Sequence, residues 1–221
     1  MTNEEFSNEF DVLLSNNSIA LDEYEKSVFL TKAQEDLVLE LYNGKNVSGE
    51  SFEETEENRS YLRNLIRTST LTASGASGID SKSTIFTLPD EVWFITYESA
   101  TLQNTTDPCV NGSVVAVVPT TQDEYHRVKN NPFRGPNKNR VLRLDSDNGT
   151  LELISNYPIK EYLVRYLTKP SPIILVDLGE GLQINKESKF TECKLNSTLH
   201  RPILDRAVRL ALASKAATVA K

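Results

Sequence analysis

The 221-residue chain has only two cysteines, Cys109 and Cys193, which lie far apart without the spacing of metal ligands. We therefore predict neither a disulfide framework nor a zinc site, and a reducing cytoplasm is the simplest setting. No apolar run approaches the roughly 20 residues needed to cross a bilayer. The start of the chain, MTNEEFSNEFDVLL, is acidic where a signal peptide is basic and then apolar. We expect a protein that stays where it is made and has no membrane partner.

Signatures of catalysis are also scarce. The sequence contains neither a Gly-x-x-x-x-Gly-Lys nor a Gly-x-Gly-x-x-Gly loop, so no phosphate cradle is predicted. The two histidines, His126 and His200, lie in different segments, and no serine or cysteine stands in a nucleophile-elbow context. We predict surface or capping roles for both histidines, no cofactor, no metal and no enzymatic activity.

A metal-dependent nuclease is the rival from another class. Asp177 follows an apolar segment, and Glu187 and Lys189 supply a Glu-x-Lys pattern. Such a site would need both carboxylates on one Mg²⁺ and the lysine beside the scissile phosphate. The last two residues lie in a polar stretch, however, where no buried strand would hold them, and matches this short arise by chance.

Charge is distributed unevenly along the chain, although its net value is only −7. Residues 1–66 contain 15 acidic residues against 5 basic ones, whereas residues 189–221 contain seven basic residues against two acidic ones. An acidic chain without a recognition motif does not indicate nucleic-acid binding as the main role. Ends of opposite sign instead favour contacts between subunits or with other proteins.

Helical periodicity dominates the start and the end of the chain. Phe6, Phe10 and Leu14 predict a first helix that ends at Asn16–Ser18. Residues 23–44 predict two further helical pieces, of which the second starts at Thr31 with a capping box to Gln34 and stops at Gly44. A solvated linker over residues 43–57 and a short helix in residues 57–69 follow. Residues 196–221 predict a final helix with Pro202 in its first turn.

The middle of the chain has the composition of strands. Residues 70–83 are rich in Gly and Ser and predict a flexible connection with a boundary near Ser74. Strands are predicted in 84–89, 91–103, 112–121, 140–145, 150–155 and 161–170, with a short helix at 123–129 and a hairpin turn at 145–149. Residues 172–178 form either a strand or an extended segment. The aromatic residues Trp93, Phe94 and Tyr97 are interpreted as core and cross-strand packing.

The fold class predicted from these patterns is α+β, with a helical N-terminal region, a strand-rich antiparallel or mixed sheet and a C-terminal helix. The predicted regions are an acidic helical region at 1–73, a strand-rich body at 74–195 and a basic C-terminal helix and tail at 196–221. Residues 130–139 are either a binding loop that presents an aromatic ring beside an arginine or simply a long turn. We predict partner contacts by this loop and by the apolar stripe and basic rim of the last helix. These residues are Phe133, Arg134, Ile203, Arg206, Ala207, Val208, Arg209 and Ala211.

Several stretches together resemble virion structural proteins of crAss-like and related short-tailed bacteriophages, in particular the ring or adaptor subunits between portal and tail. They are EYEKSVFLTKAQEDLVLELYNG, VVPTTQDEYHRVKNNPFRGPNKNRVLRL, YLVRYLTKPSPIILVDL and CKLNSTLHRPILDRAVRLALAS. The resemblance covers most of the chain and consists of packing patterns rather than chemical signatures. The chain departs from the small adaptors, which are mainly helical, because its middle is rich in strands; a neighbouring ring of the neck is therefore an alternative.

The resemblance implies a homo-oligomeric ring, commonly a dodecamer, assembled on a portal vertex in contact with portal and other neck or tail proteins. DNA would pass through its channel without specific recognition. It also implies a place in the virion, after assembly in the host cytoplasm. An internal or tail-associated virion protein is a further alternative with the same composition.

Overall fold

The computed structural model describes residues 1–15, 19–45, 49–74, 78–146 and 149–219 and divides the chain into two compact units. Unit 1 comprises Met1–Leu65 and Lys169–Lys221, and unit 2 comprises Ile66–Thr168. These bounds differ from the three predicted regions, because residues 66–73 belong with the strands and residues 169–195 belong with the helices. Within the described ranges, no helix combines the length and apolar content needed to span a bilayer.

Unit 1 is built from helices. They are α1 (Asn3–Ser15), α2 (Glu23–Asn43), α3 (Glu56–Leu62) with a 3-10 turn (Arg63–Leu65), and α5 (His200–Val219) preceded by a 3-10 turn (Ser197–Leu199). Helix α1 buries Phe6, Phe10 and Leu14, as their spacing predicts. Helix α5 packs on α1 and α2 and buries Ile203 and Ala207. The core of the unit therefore lies where these three helices meet.

Helix α2 is continuous, so the prediction of two helical pieces is wrong. Its N-cap is Asp22, whose side chain accepts from the backbone N–H of Glu25 at 2.7 Å while the Glu25 side chain accepts from the N–H of Asp22. This capping box starts the helix nine residues before Thr31. Gly44 ends it in the left-handed conformation with φ 68°, as predicted.

Thr31 has a different role, as one of three buried polar residues on one face of α2. Their spacing of four and three residues directs Ser27, Thr31 and Gln34 toward the extended backbone of residues 171–175. Ser27 Oγ accepts from the N–H of Leu175 at 3.0 Å, and Gln34 Nε2 donates to the carbonyl of Ser171 at 2.8 Å. The helix thus satisfies buried backbone groups that would otherwise lack partners.

Between these contacts, Thr31 Oγ1 both accepts from the N–H of Ile173 at 3.1 Å and donates to its carbonyl at 3.3 Å. Residues 172–178 are accordingly not a strand, and they contain one isolated bridge at Ile174 followed by a bend at Leu175 and Val176. They form one arm of an irregular hairpin, in which Ile174 pairs with Thr191 and the N–H of Leu178 donates to Ser188.

Unit 2 is a seven-stranded mixed sheet with the strand order β1-β7-β3-β4-β5-β6-β2. The strands are β1 (Ile66–Leu71), β2 (Ser83–Thr87), β3 (Val92–Leu102), β4 (Val114–Pro119), β5 (Arg140–Asp145), β6 (Thr150–Ile154) and β7 (Ile159–Thr168). Neighbours are antiparallel except β4 and β5, which are parallel. A parallel pair needs a crossover. Helix α4 (Gln122–Val128) and the following residues 129–139 supply it.

The sheet contributes to two clusters of buried residues, because successive side chains of a strand point to opposite sides. Val141 of β5 belongs to the main core, together with Phe86, Leu153 and Tyr162. The next residue, Leu142, lies in a second cluster under α4, with Tyr125, Val128, Leu144 and Ile154. Helix α4 is thus fixed on the sheet by its own small core.

The sequence predictions for β2 to β7, α4, α5 and the α+β class are confirmed. Strand β1 was not predicted, since residues 66–69 were assigned to a helix and residues 70–71 to a flexible connection. Phe52, in the predicted solvated linker, is buried and stacks on Tyr42 with ring centroids 6.2 Å apart. The predicted break at 16–18 and parts of the linker, of the Gly/Ser-rich connection and of the 145–149 turn (46–48, 75–77, 147–148) lie outside the described residues.

Candidate functional site

The oppositely charged ends of the chain form ion pairs with each other inside unit 1. Arg206 of α5 lies 2.5 Å from Glu40 of α2, and Lys215 lies 3.1 Å from Glu25. A further pair joins Arg201 to Glu9 of α1 at 3.5 Å. Much of the basic charge of the last helix is therefore neutralised within one chain.

The predicted apolar docking stripe of α5 is a core element of unit 1. Ile203, Ala207, Val208 and Ala211 are all buried, with at most 7% of their surface exposed. The expectation that they face outward to a partner is corrected accordingly, since an amphipathic helix buries its apolar face on its own chain where it can. Of the predicted rim, Arg206 pairs with Glu40, and Arg209 is exposed beside it in a surface depression.

A buried lysine joins α1 and α2, and no sequence pattern predicted it. Lys26 is 3% exposed, and its ammonium group donates to Asp11 at 2.7 Å, Glu23 at 2.8 Å and Ser7 at 3.0 Å. Burial alone would lower the pKa of Lys26, but the two carboxylates outweigh it, so that the pKa is raised. The group remains charged and holds the first two helices together.

A second buried polar group lies in unit 2. Arg143 donates to Glu98 at 2.6 Å, and the hydroxyl of Tyr162 donates to the same carboxylate at 2.7 Å. Burial and the Glu98 charge raise the pKa of Tyr162, so its hydroxyl stays protonated. This network links β3, β5 and β7 and has a structural role.

The residues of the rival nuclease hypothesis belong to the irregular hairpin of unit 1. Asp177 uses Oδ1 to accept the N–H of Phe190 at 2.7 Å, and Glu187 closes a tight turn with Ile184. Across the described residues, no group of three or more His, Cys, Asp or Glu side chains is arranged to hold a metal ion. Nothing in this geometry supports the nuclease hypothesis.

The histidines differ in their surroundings. His126 is exposed in the last turn of α4, in agreement with a surface role. His200 is buried against the ring of Phe6, with centroids 5.6 Å apart, so it is not a surface residue. It does stand at the C-cap of the 3-10 turn Ser197–Leu199, where its backbone N–H donates to the carbonyl of Ser197, in agreement with the predicted capping role. Burial also lowers the pKa of His200.

The aromatic residues of β3 lie at irregularities in its pairing with β7, where the register shifts between Val92 and Phe94 and again between Ile95 and Tyr97. The rings of Trp93 and Phe94 stack with centroids 5.0 Å apart and are partly buried. Tyr97 is 52% exposed and is therefore not a core residue, but the guanidinium of its β7 partner Arg165 lies over its ring, which is the predicted cross-strand packing.

The loop after α4 presents the most exposed large apolar side chain among the described residues. Phe133 is 86% exposed, and Arg134 beside it is exposed as well. The Asn131 side chain accepts from the N–H groups of both residues, at 2.8 and 3.1 Å. Both predicted loop residues therefore lie at the surface on a backbone that is held in place.

Close packing holds this loop further. Arg140 donates to the carbonyl of Phe133 at 2.9 Å, and Asn156 donates to that of Pro136 at 2.7 Å. A Cβ at position 135 would lie 2.7 Å from the carbonyl oxygen of Asn131, which is too close for any side chain. Only glycine, which has no Cβ, fits at this position. Phe133 is thus exposed on a loop whose backbone is already held in place. Binding of a partner to this loop would therefore cost little conformational entropy.

The base of the loop is tied to a neighbouring turn. Asp80 accepts from the Tyr125 hydroxyl at 3.0 Å and from Lys129 at 3.4 Å. The bond from Tyr125 is the main reason that the pKa of Asp80 is lowered to about 2. Burial, with the bond to Asp80, raises the pKa of Tyr125 to about 12.

Unit 1 has a groove of about 810 Å³ that the sequence did not suggest. Its lining includes the carboxylates of Glu4, Glu23 and Glu192 and the side chains of Val176 and Phe190, which are 45% and 50% exposed. Phe190 stands in a polar stretch, and an isolated aromatic residue there is the one signal in the sequence that could have indicated the groove.

The family described as phage tail ring protein 3/4 matches this chain over residues 1–221. The chain belongs to this family. Ring protein 3 of Bacteroides phage crAss001 is 50% identical to it over 222 residues, which cover 97% of this chain and 96% of the relative. Ring protein 4/5 of the same phage is 33% identical over 226 residues, which cover 95% and 92%. The predicted resemblance to ring proteins of crAss-like phages is confirmed, and membership indicates a structural role in the virion.

Proposed function

We propose that this ring protein forms a closed homo-oligomeric ring in the neck of the virion, between portal and tail, around the channel through which DNA passes. A dodecamer is the expected stoichiometry, and portal and other neck or tail proteins are the expected neighbours. Assembly would take place in the host cytoplasm. The ring acts through protein contacts and needs no cofactor.

The observation that carries this proposal is the exposed Phe133 on an ordered loop, in a chain of the ring protein family. A large aromatic side chain beside an arginine is typical of the residues that dominate binding at protein interfaces. The apolar stripe of α5 is buried, and three basic residues of this helix form ion pairs with carboxylates of α1 or α2. The loop that carries Phe133 is therefore the better candidate for an intersubunit contact.

Mass photometry of the purified chain and electron microscopy of virions test the proposal. Mass photometry should show particles with twelve times the mass of the 24.8 kDa chain. Electron microscopy should show a ring in the neck of the virion that is built from this chain. A chain that is monomeric at all concentrations in solution, and that virions carry outside any ring, would contradict the proposal.

A further inference from the structure

The loop of residues 131–136, with its flanking residues, and the groove of unit 1 have complementary chemistry. Residues 127–140 contain five basic residues and no acidic one. Three of these bases have internal roles, since Arg127 pairs with Glu124, Lys129 with Asp80, and Arg140 binds the carbonyl of Phe133. Arg134 and Lys138 are exposed, and neither forms an ion pair within the described part of the chain. The loop therefore offers positive charge beside an apolar ring.

The groove offers the opposite pattern. Three carboxylates line it, and no basic side chain does. Glu4 and Glu192 are exposed, whereas Glu23 already binds Lys26 and Ser7. The groove therefore has two carboxylates at its surface for a cation from outside.

One further acceptor lies in the wall of the groove. Asn3 is only 4% exposed, and its Nδ2 donates to the carbonyls of Ile174 and Thr191 at 2.8 and 3.2 Å. Its Oδ1 has no donor among the described residues. A buried acceptor without a partner is costly, so a donor such as a guanidinium would find a favourable position here.

The apolar side of the groove matches the other half of the loop. Val176 and Phe190 are about half exposed, and an aromatic ring of the size of Phe133 buries 150–250 Å² when it is fully covered. Exposed apolar side chains often mark sites where proteins bind each other. When one chain has two such surfaces, contact between copies of that chain can cover both.

We infer that the 131–136 loop of one copy docks in the groove of the next copy, with Phe133 against Val176 and Phe190 and Arg134 toward Glu192 and Asn3. The inference rests on the proposed ring and names its interface. A closed ring needs two different, complementary surfaces on each subunit, and a loop and a groove are such a pair. Because both halves are on the same chain, no second protein is needed.

Charge exchange tests this interface in the full-length chain. Sedimentation velocity over a range of concentrations measures self-association of Arg134→Glu, of Glu192→Arg and of the chain that carries both. Each single change should weaken association by at least about 10-fold, and the double change should restore it to within about 3-fold, because opposite charges face each other again. Phe133→Ala should weaken association by at least about 10-fold as well.

Two variants control for net charge. Lys160→Glu makes the same charge change as Arg134→Glu at another exposed position of unit 2, and Glu180→Arg does so for Glu192→Arg in unit 1. Both should associate like the unchanged chain. Circular dichroism of every variant should match the unchanged chain, which separates a lost contact from a lost fold.

A pair of cysteines locates the contact. In a background with Cys109→Ser and Cys193→Ser, chains with Pro132→Cys in the loop and chains with Glu4→Cys in the groove should form covalent dimers with a short bismaleimide only when the two are mixed. Dimers from either chain alone, or none from the mixture, would overturn the inference.

The outcomes also separate this inference from the proposed function. If the unchanged chain forms rings and Arg134→Glu and Glu192→Arg do so equally well, the interface is wrong and the ring stands. If Arg134→Glu forms rings but binds duplex DNA more weakly, the loop faces DNA and the inference fails. If no ring forms in solution or in virions, the proposed function itself fails.

Discussion

Replacement of Thr31 by valine is the sharpest test of how unit 1 is held together. Valine has nearly the same shape as threonine, but it removes the hydroxyl that binds both the N–H and the carbonyl of Ile173 at 3.1 and 3.3 Å. Thr31 is buried, so water does not replace the lost partner without a change in packing. Each buried group left without a partner costs about 1–3 kcal/mol.

The added methyl group offsets about 0.8 kcal/mol of this loss. We therefore expect Thr31→Val to lower the free energy of unfolding of unit 1 by about 2–3 kcal/mol. For a chain of this length, such a change lowers Tm by roughly 5–10 °C. Thr31→Ser keeps the hydroxyl and loses one methyl group, so it should cost only about 1 kcal/mol.

Urea unfolding followed by two signals measures this effect. Circular dichroism at 222 nm reports mainly on the helices of unit 1, whereas the fluorescence of Trp93 reports on unit 2. The midpoint of the circular dichroism transition should fall more for valine than for serine. If Thr31→Val is as stable as Thr31→Ser or more so, the hydroxyl does not support the 171–175 backbone and the reasoning is refuted.

Three further changes test the other contacts. Lys26→Met should destabilise unit 1 by about 1–3 kcal/mol in urea unfolding, because the charged hydrogen bond to Asp11 is lost, although that carboxylate is largely exposed. Gly135→Ala should weaken self-association in sedimentation velocity as strongly as Phe133→Ala, because the new Cβ would collide with a carbonyl oxygen and displace the loop. Asp80→Asn should flatten the fall in stability of unit 2 from pH 4 to pH 2, measured by Trp fluorescence in urea. The pKa of Asp80 is lowered to about 2, so its contribution is complete above the usual carboxyl pKa of 3.8 and is lost as the pH falls toward 2.

Each of these changes has a matched control. Lys32→Met alters an exposed lysine of the same helix and should change stability by less than about 0.5 kcal/mol. Gly179→Ala adds a Cβ that meets no atom within 4 Å and should leave self-association unchanged. An Asp80→Asn chain whose stability falls with pH as steeply as the unchanged chain would show that other carboxyl groups dominate acid unfolding.

Local signals predicted most of the elements because those elements satisfy local rules. The helical spacing of Phe6, Phe10 and Leu14 states both the element and its buried face, whereas the pattern in Val92–Leu102 states only that the segment is a strand. Gly44 marks a helix end because a left-handed residue is needed there. Such features depend on a few neighbouring residues and can be read without the rest of the chain.

The errors arose where the deciding partner is distant in sequence. Thr31 and Gln34 have the residue types and the spacing of a capping box, yet their partners are the backbone of residues 171–173, about 140 positions away. Strand β1 is an edge strand rich in Thr and Ser that pairs only with β7, about 95 residues later. No local pattern distinguishes these arrangements from a helix start or a flexible connection.

The candidate site shows the same limit. The exposure of Phe133 and Arg134 was predictable because proline, glycine and asparagine around them form a loop. The stripe on α5 was correctly predicted as apolar, but amphipathicity alone cannot state whether an apolar face packs on its own chain or on a partner. The groove joins residues near positions 3, 23, 176 and 190, so only the folded unit reveals it.

Two relatives from one phage carry the names of different rings, although each aligns with more than nine-tenths of this chain. A shared fold cannot by itself decide which ring a subunit joins. That choice needs differences at the surface, including contacts that repel the wrong neighbour. The 131–136 loop and the groove around Glu192 can both change in charge without disturbing either core, since Arg134 and Glu192 are exposed. Matched pairs of loop and groove would therefore let one fold build several rings that do not mix.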